Sequence, residues 1–101
     1  MSLKKHFNSK KKICKVTFTV AEHISNSANR IHLAGDFTNW NIESIPMKKE
    51  KDGCFSASLD LEKGKAYQFK YLVDGLGWLN EKEADSQVLN EFQTENSLII
   101  V

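Results

Sequence analysis

The chain has 101 residues, 41% apolar and 27% charged, with a formal net charge of +1. That is enough for one domain with one core, and the composition excludes collagen-like, disulfide-dense and low-complexity chains. No run of about 18 apolar residues occurs, which excludes a helical membrane span. The near-neutral balance names no polyanionic partner.

Charge is unevenly distributed. Residues 1–15 carry six lysines (Lys4, Lys5, Lys10, Lys11, Lys12, Lys15) and no acid. The eight remaining Lys and Arg face thirteen Asp and Glu, a body of net −5. Residues 1–12 are expected to form a basic, solvated and disordered arm, and residues 13–101 the folded domain. Such an arm could touch nucleic acid or an anionic membrane through salt-sensitive contacts. A solvated end is the plainer reading, and neither partner is expected. The start of the chain lacks the apolar segment of a secretory signal. Cys14 and Cys54 show no metal-ligand spacing, and strand alternation sends them to opposite faces. Free thiols in a reducing cytoplasm are therefore expected, with no metal and no cofactor.

Helical periodicity is nearly absent and period-two alternation recurs. In Ile13–Val20, the residues Cys14, Val16, Phe18 and Val20 share one face. Ile31 and Leu33 do so in Arg30–Ala34, with His32 facing outward. Over Cys54–Leu61, Phe55, Ala57, Leu59 and Leu61 alternate with polar residues. Over Tyr67–Asp74, Tyr67, Phe69, Tyr71 and Val73 point one way, and Gln68, Lys70, Leu72 and Asp74 the other. Ser97–Val101 reads as a last strand. Ser25–Asn29, Lys51–Gly53 and Glu62–Gly64 are turn signals, and Asp74-Gly75 is a hairpin signal. Together these predict an antiparallel β-sandwich of about seven strands. Gly35–Met47 and the seventeen mostly polar residues of Asn80–Asn96 fit no strand. A loop as long as the second is uncommon and often functional. His6 and His23 are expected to be exposed.

A pyranose ring has an apolar CH face and a rim of hydroxyls. Proteins bind it by stacking flat aromatics on the face and aiming hydrogen-bonding groups at the rim. The two tryptophans, Trp40 and Trp78, both fall in polar loop contexts. Lys70 lies on the outward face of a strand that runs towards Trp78. A sugar site and a core role for either tryptophan both remain open on these features alone.

The segments Leu33-Ala34-Gly35-Asp36-Phe37-Thr38-Asn39-Trp40 and Tyr67-Gln68-Phe69-Lys70-Tyr71-Leu72-Val73-Asp74-Gly75 stand in order with Trp78 and Asn96–Val101. Over roughly residues 14–101 the chain closely resembles the family-48 carbohydrate-binding modules. These include the glycogen-binding domain of the AMP-activated protein kinase β subunit and the N-terminal domains of isoamylases and glycogen branching enzymes. The stretch Trp78–Glu81 with Ala84, Asp85 and Asn90 looks more like the free-standing bacterial members. The resemblance implies an all-β, immunoglobulin-like sandwich of the early set E type. It also implies binding of α-1,4-glucan (glycogen, starch or maltooligosaccharide) as a module of, or accessory to, a glucan-processing enzyme.

Position by position, the resemblance implies stacking by Trp40 and Trp78 and hydroxyl contacts from Lys70 and Asn96. Phe92 and Thr94 would press a loop against the sugar. Gln93 stands where the family commonly has glycine, and Leu76-Gly77 makes the turn before Trp78 one residue longer than in the kinase subunit.

Glycoside hydrolysis needs two carboxylates within about 10 Å of each other. No acid lies in an evidently apolar stretch, Asp36 and Asp74 occupy turn positions, and no nucleophile elbow or phosphate loop occurs. A non-catalytic chain is expected. The alternative is a sandwich that docks on a glycoside hydrolase or kinase partner without binding sugar, and burial of both indoles would favour it.

Overall fold

The structure is a computed structural model that describes residues 2–7, 12–21 and 28–101. The alternating segments pair into two antiparallel sheets. In the first, β1 (Ser2–Phe7), β2 (Ile13–Val20), β5 (Phe55–Glu62) and β4 (Lys48–Lys49) lie in the order β1-β2-β5-β4. In the second, β3 (Ile31–Gly35), β6 (Ala66–Val73), β9 (Glu95–Ile100) and β8 (Ser86–Leu89) lie in the order β3-β6-β9-β8. A short strand, β7 (Gly77–Leu79), pairs with the C-terminal half of β6. The nine strands of the described residues exceed the expected seven, because β1, β4 and β8 are short or lysine-rich edge strands with weak apolar alternation.

The inward faces are those the alternation gives. Cys14, Val16, Phe18, Val20, Phe55 and Leu61 meet Ile31, Leu33, Phe69, Tyr71 and Ile99 across the sandwich. Phe18 packs edge-on against Phe69 at 5.1 Å, and Phe69 against Tyr71 at 5.8 Å. Each such fully buried aromatic contributes about 2–3 kcal/mol through the apolar area it removes from water. Cys14 is buried and Cys54 partly exposed, and both are free thiols. The expected turns after β4 and β5 carry Gly53 and Gly64 at positive φ.

Three expectations need correction. The first is the basic arm expected over residues 1–12. Ser2–Phe7 instead forms β1, paired with Cys14–Thr19 of β2. An edge strand tolerates lysines, and the inward-facing Leu3 packs against the core. Lys5, on the same face, reaches the carboxylate of Asp85 at 2.7 Å, tying β1 to the opposite sheet. The second is the long Asn80–Asn96 loop, which contains β8. The third is Leu72, expected on an outward face but only 5% exposed, flanked by His32 on β3 and Trp78 on β7. His6 is exposed and His32 partly so, while His23 and most of the Ser25–Asn29 turn lie outside the described residues.

Candidate functional site

The outward face of the second sheet ends in three irregular segments, each shaped by a few local residues. The first follows β3. Gly35 lies so close to β6 that a Cβ there would stand 2.4 Å from the Gln68 carbonyl oxygen, so no larger residue fits. Asp36–Thr38 form one turn of 3-10 helix. Phe37 anchors that turn in the core against Phe18 and Tyr67, each at 6.1 Å. The Asp36 carboxylate accepts the Gln68 N–H at 2.8 Å and the Trp40 indole N–H at 3.1 Å. Asn39 and Trp40 then have φ of 52° and 61°. Left-handed backbone is tolerated by Asn, but is an outlier for a bulky residue. The turn thus holds the Trp40 ring at a fixed place with its N–H already occupied.

The second segment is the β6–β7 hairpin. Asp74 and Gly75 have φ of 52° and 70°, the two positive angles of a type I′ turn. The Asp74 carboxylate also accepts the N–H groups of Asn29 and Arg30 at 2.8 and 2.9 Å. Leu76, the next residue, projects into solvent at 91% exposure. Beyond it Trp78 pairs with Leu72. Trp78 therefore stands on a strand, not in the loop its polar neighbours imply. Its ring is 50% exposed on the face that carries Lys70.

The third segment joins β8 to β9. Asn90 organises it: its Oδ1 accepts the N–H groups of Phe92 (2.9 Å) and Thr94 (3.2 Å). Gln93 has φ of 62°, a conformation that glycine reaches without steric cost. Phe92, at the tip, is 78% exposed.

These segments meet around β6. Trp40, Lys70, Trp78, Asn90, Glu91, Phe92, Thr94 and Asn96 line one open groove of about 600 Å³. All six residues singled out in the sequence are among them. Neither indole is buried under the β8–β9 connection. Lys70 is only 9% exposed, and its ammonium donates to Thr94 Oγ1 at 3.4 Å. Asn96 is also 9% exposed and donates from Nδ2 to Gln68 Oε1 at 3.0 Å. Asn90 and Glu91 are the lining residues that sequence reasoning missed. An Asn followed by polar residues is a turn signal, but nothing local places it beside Asn96.

One acid also contradicts expectation. Glu81 is fully buried although its sequence neighbours are polar. Its carboxylate accepts the Tyr71 hydroxyl at 2.8 Å and the Glu83 N–H at 2.9 Å. Its own N–H donates to Ser97 Oγ at 2.8 Å. Burial pushes the Tyr71 phenol far above its ordinary pKa, and the Glu81 carboxylate pushes in the same direction. The two Glu81 oxygens hold β6 and the segment after β7, its N–H ties that segment to β9, and Glu81 is not part of the groove lining.

The antiparallel sandwich thus presents a shallow groove whose lining includes two partly exposed tryptophans. The chain belongs to the family described as the glycogen recognition site of AMP-activated protein kinase, which matches residues 19–101, and is thus a family-48 module. No curated protein matches the chain.

Proposed function

We propose that the groove binds α-1,4-glucan, as glycogen, starch or maltooligosaccharide. Trp40 and Trp78 stack on sugar faces, Lys70, Thr94 and Asn96 hydrogen-bond to hydroxyls, and Phe92 presses from the loop tip. What carries the reading is the convergence of two partly exposed indoles and a nearly buried lysine on one groove, in a chain of the glycogen-recognition family. Stacking supplies apolar contact, and the polar groups distinguish a hydroxylated ring from a plain apolar ligand. The groove is open, so affinity is set by a few contacts and lies in the micromolar to millimolar range, roughly. The domain serves a glucan-processing enzyme, as its module or accessory, in the cytoplasm.

Calorimetric titration with maltoheptaose tests this. Binding is expected for the wild type and at least about tenfold loss for Trp78→Ala, a loss of about 1.4 kcal/mol. That variant stays folded, because the ring is half in water. No heat at millimolar sugar would sink the proposal.

A further inference from the structure

Asn90 lines the groove, yet its side chain has no capacity left for a ligand. Its Oδ1 accepts two main-chain N–H groups, from Phe92 and Thr94. Its Nδ2 donates to Thr94 Oγ1 at 2.8 Å and to Asn96 Oδ1 at 3.0 Å. Two donors and two lone pairs are the full complement of a carboxamide.

The directions of these bonds follow from one fact. Main-chain N–H groups only donate, so the Asn90 atom facing them is the oxygen. Its Nδ2 therefore faces Asn96, and Asn96 answers with Oδ1. That turns Asn96 Nδ2 onto Gln68 Oε1. Thr94 Oγ1 accepts from both Asn90 and Lys70, and its own proton remains to be donated. The geometry points to Asn90 as the positioning residue of the groove, fixing the amide direction of Asn96 so that an acceptor oxygen stands beside two donors, Lys70 and Thr94.

Such a set matches a hydroxyl, which accepts from the lysine and donates to the amide oxygen at once. An ether oxygen cannot donate and is not matched. The inference deepens the reading of the groove as the glucan site and rests on it.

Asn90→Asp separates orientation from loop structure. The Asp carboxylate still accepts from Phe92 and Thr94, so the loop is held. It has no proton for Asn96 Oδ1, so Asn96 turns its Nδ2 towards residue 90 and withdraws the acceptor. Gln93→Glu adds the same charge to the same loop outside the groove lining. With maltoheptaose as the probe, about tenfold weaker binding is expected for Asn90→Asp, the scale of one lost hydrogen bond. Gln93→Glu is expected to stay within about twofold of the wild type on the same scale.

Equal weakening of the two variants, or Asn90→Asp binding like the wild type, would overturn the proposal. Side-chain amide NMR of the wild type gives a second check that does not depend on a variant folding. The Asn96 amide protons should show contacts to Gln68, and contacts to residue 90 instead would overturn the orientation. Absence of wild-type binding would overturn the groove reading, and the amide contacts would still decide the direction of Asn96.

Discussion

Trp40 sits in a backbone conformation that suits its place in the site and not its size. Its φ of 61° brings a Cβ against the following carbonyl, at about 1–2 kcal/mol for a residue such as Trp or Ala. Replacing Trp40 by Ala removes the ring and its hydrogen bond to Asp36 but keeps the Cβ and the strain. Replacing it by Gly removes the same groups and the strain as well. The greater freedom of glycine in the unfolded chain offsets about 0.5–1 kcal/mol of that relief. Trp40→Gly is therefore expected to be more stable than Trp40→Ala by about 0.5–1 kcal/mol, or about 4 °C in Tm for a domain of this size. Paired thermal and urea unfolding curves measure the difference, and maltoheptaose titration alongside should show both variants impaired alike. An Ala variant as stable as the Gly variant, or more so, would refute the argument that the fold holds Trp40 in a strained conformation for the sake of its ring.

Other outcomes follow from the same geometry. Tyr71→Phe leaves one buried Glu81 oxygen without its donor and should cost about 2 kcal/mol in urea unfolding. Gly35→Ala drives a Cβ into the Gln68 carbonyl and should cost about 2 kcal/mol or more, with altered Trp40 fluorescence as the turn is displaced. Burial works to raise the Asp85 carboxyl, but hydrogen bonds from Lys5 and the Ile100 N–H, with the Lys5 charge, outweigh it and hold the pKa below the usual range. A depressed carboxylate contributes stability above its unfolded pKa of about 3.9 and loses it as pH falls through the folded value. Lys5→Ala should therefore be less stable than the wild type at neutral pH, with the gap narrowing in urea melts as pH falls below about 4.

The sandwich was legible wherever period-two alternation is strong. β2 and β5 each bury one face, β6 adds Lys70 and Leu72 of its other face, and the alternation places Phe18, Phe55 and Phe69 inward without ambiguity. The Asp74-Gly75 hairpin was legible because its two positive φ angles are a local demand. β1 and β8 were not, since edge strands need little apolar patterning and can carry lysine or glutamine freely. Trp78 reads as a loop residue because β7 has three residues, too few for a period to show. The burial of Glu81 rests on Tyr71 and Ser97, ten and sixteen residues away, which no local pattern announces. For the groove, resemblance named six residues that the fold brings to one groove. Asn90, engaged in positioning Asn96, carries a signal only once the two are side by side.

The most direct test of the central claim is an NMR titration of the labelled protein with maltoheptaose. The indole N–H resonances of Trp40 and Trp78 and the backbone signals of Lys70, Phe92, Thr94 and Asn96 should move together and saturate with one affinity, while Lys15, Thr17 and Ser58 on the outer face of the first sheet stay in place. Unmoved indoles at millimolar sugar, or shifts gathered on the first sheet, would contradict the assignment of the groove as the glucan site.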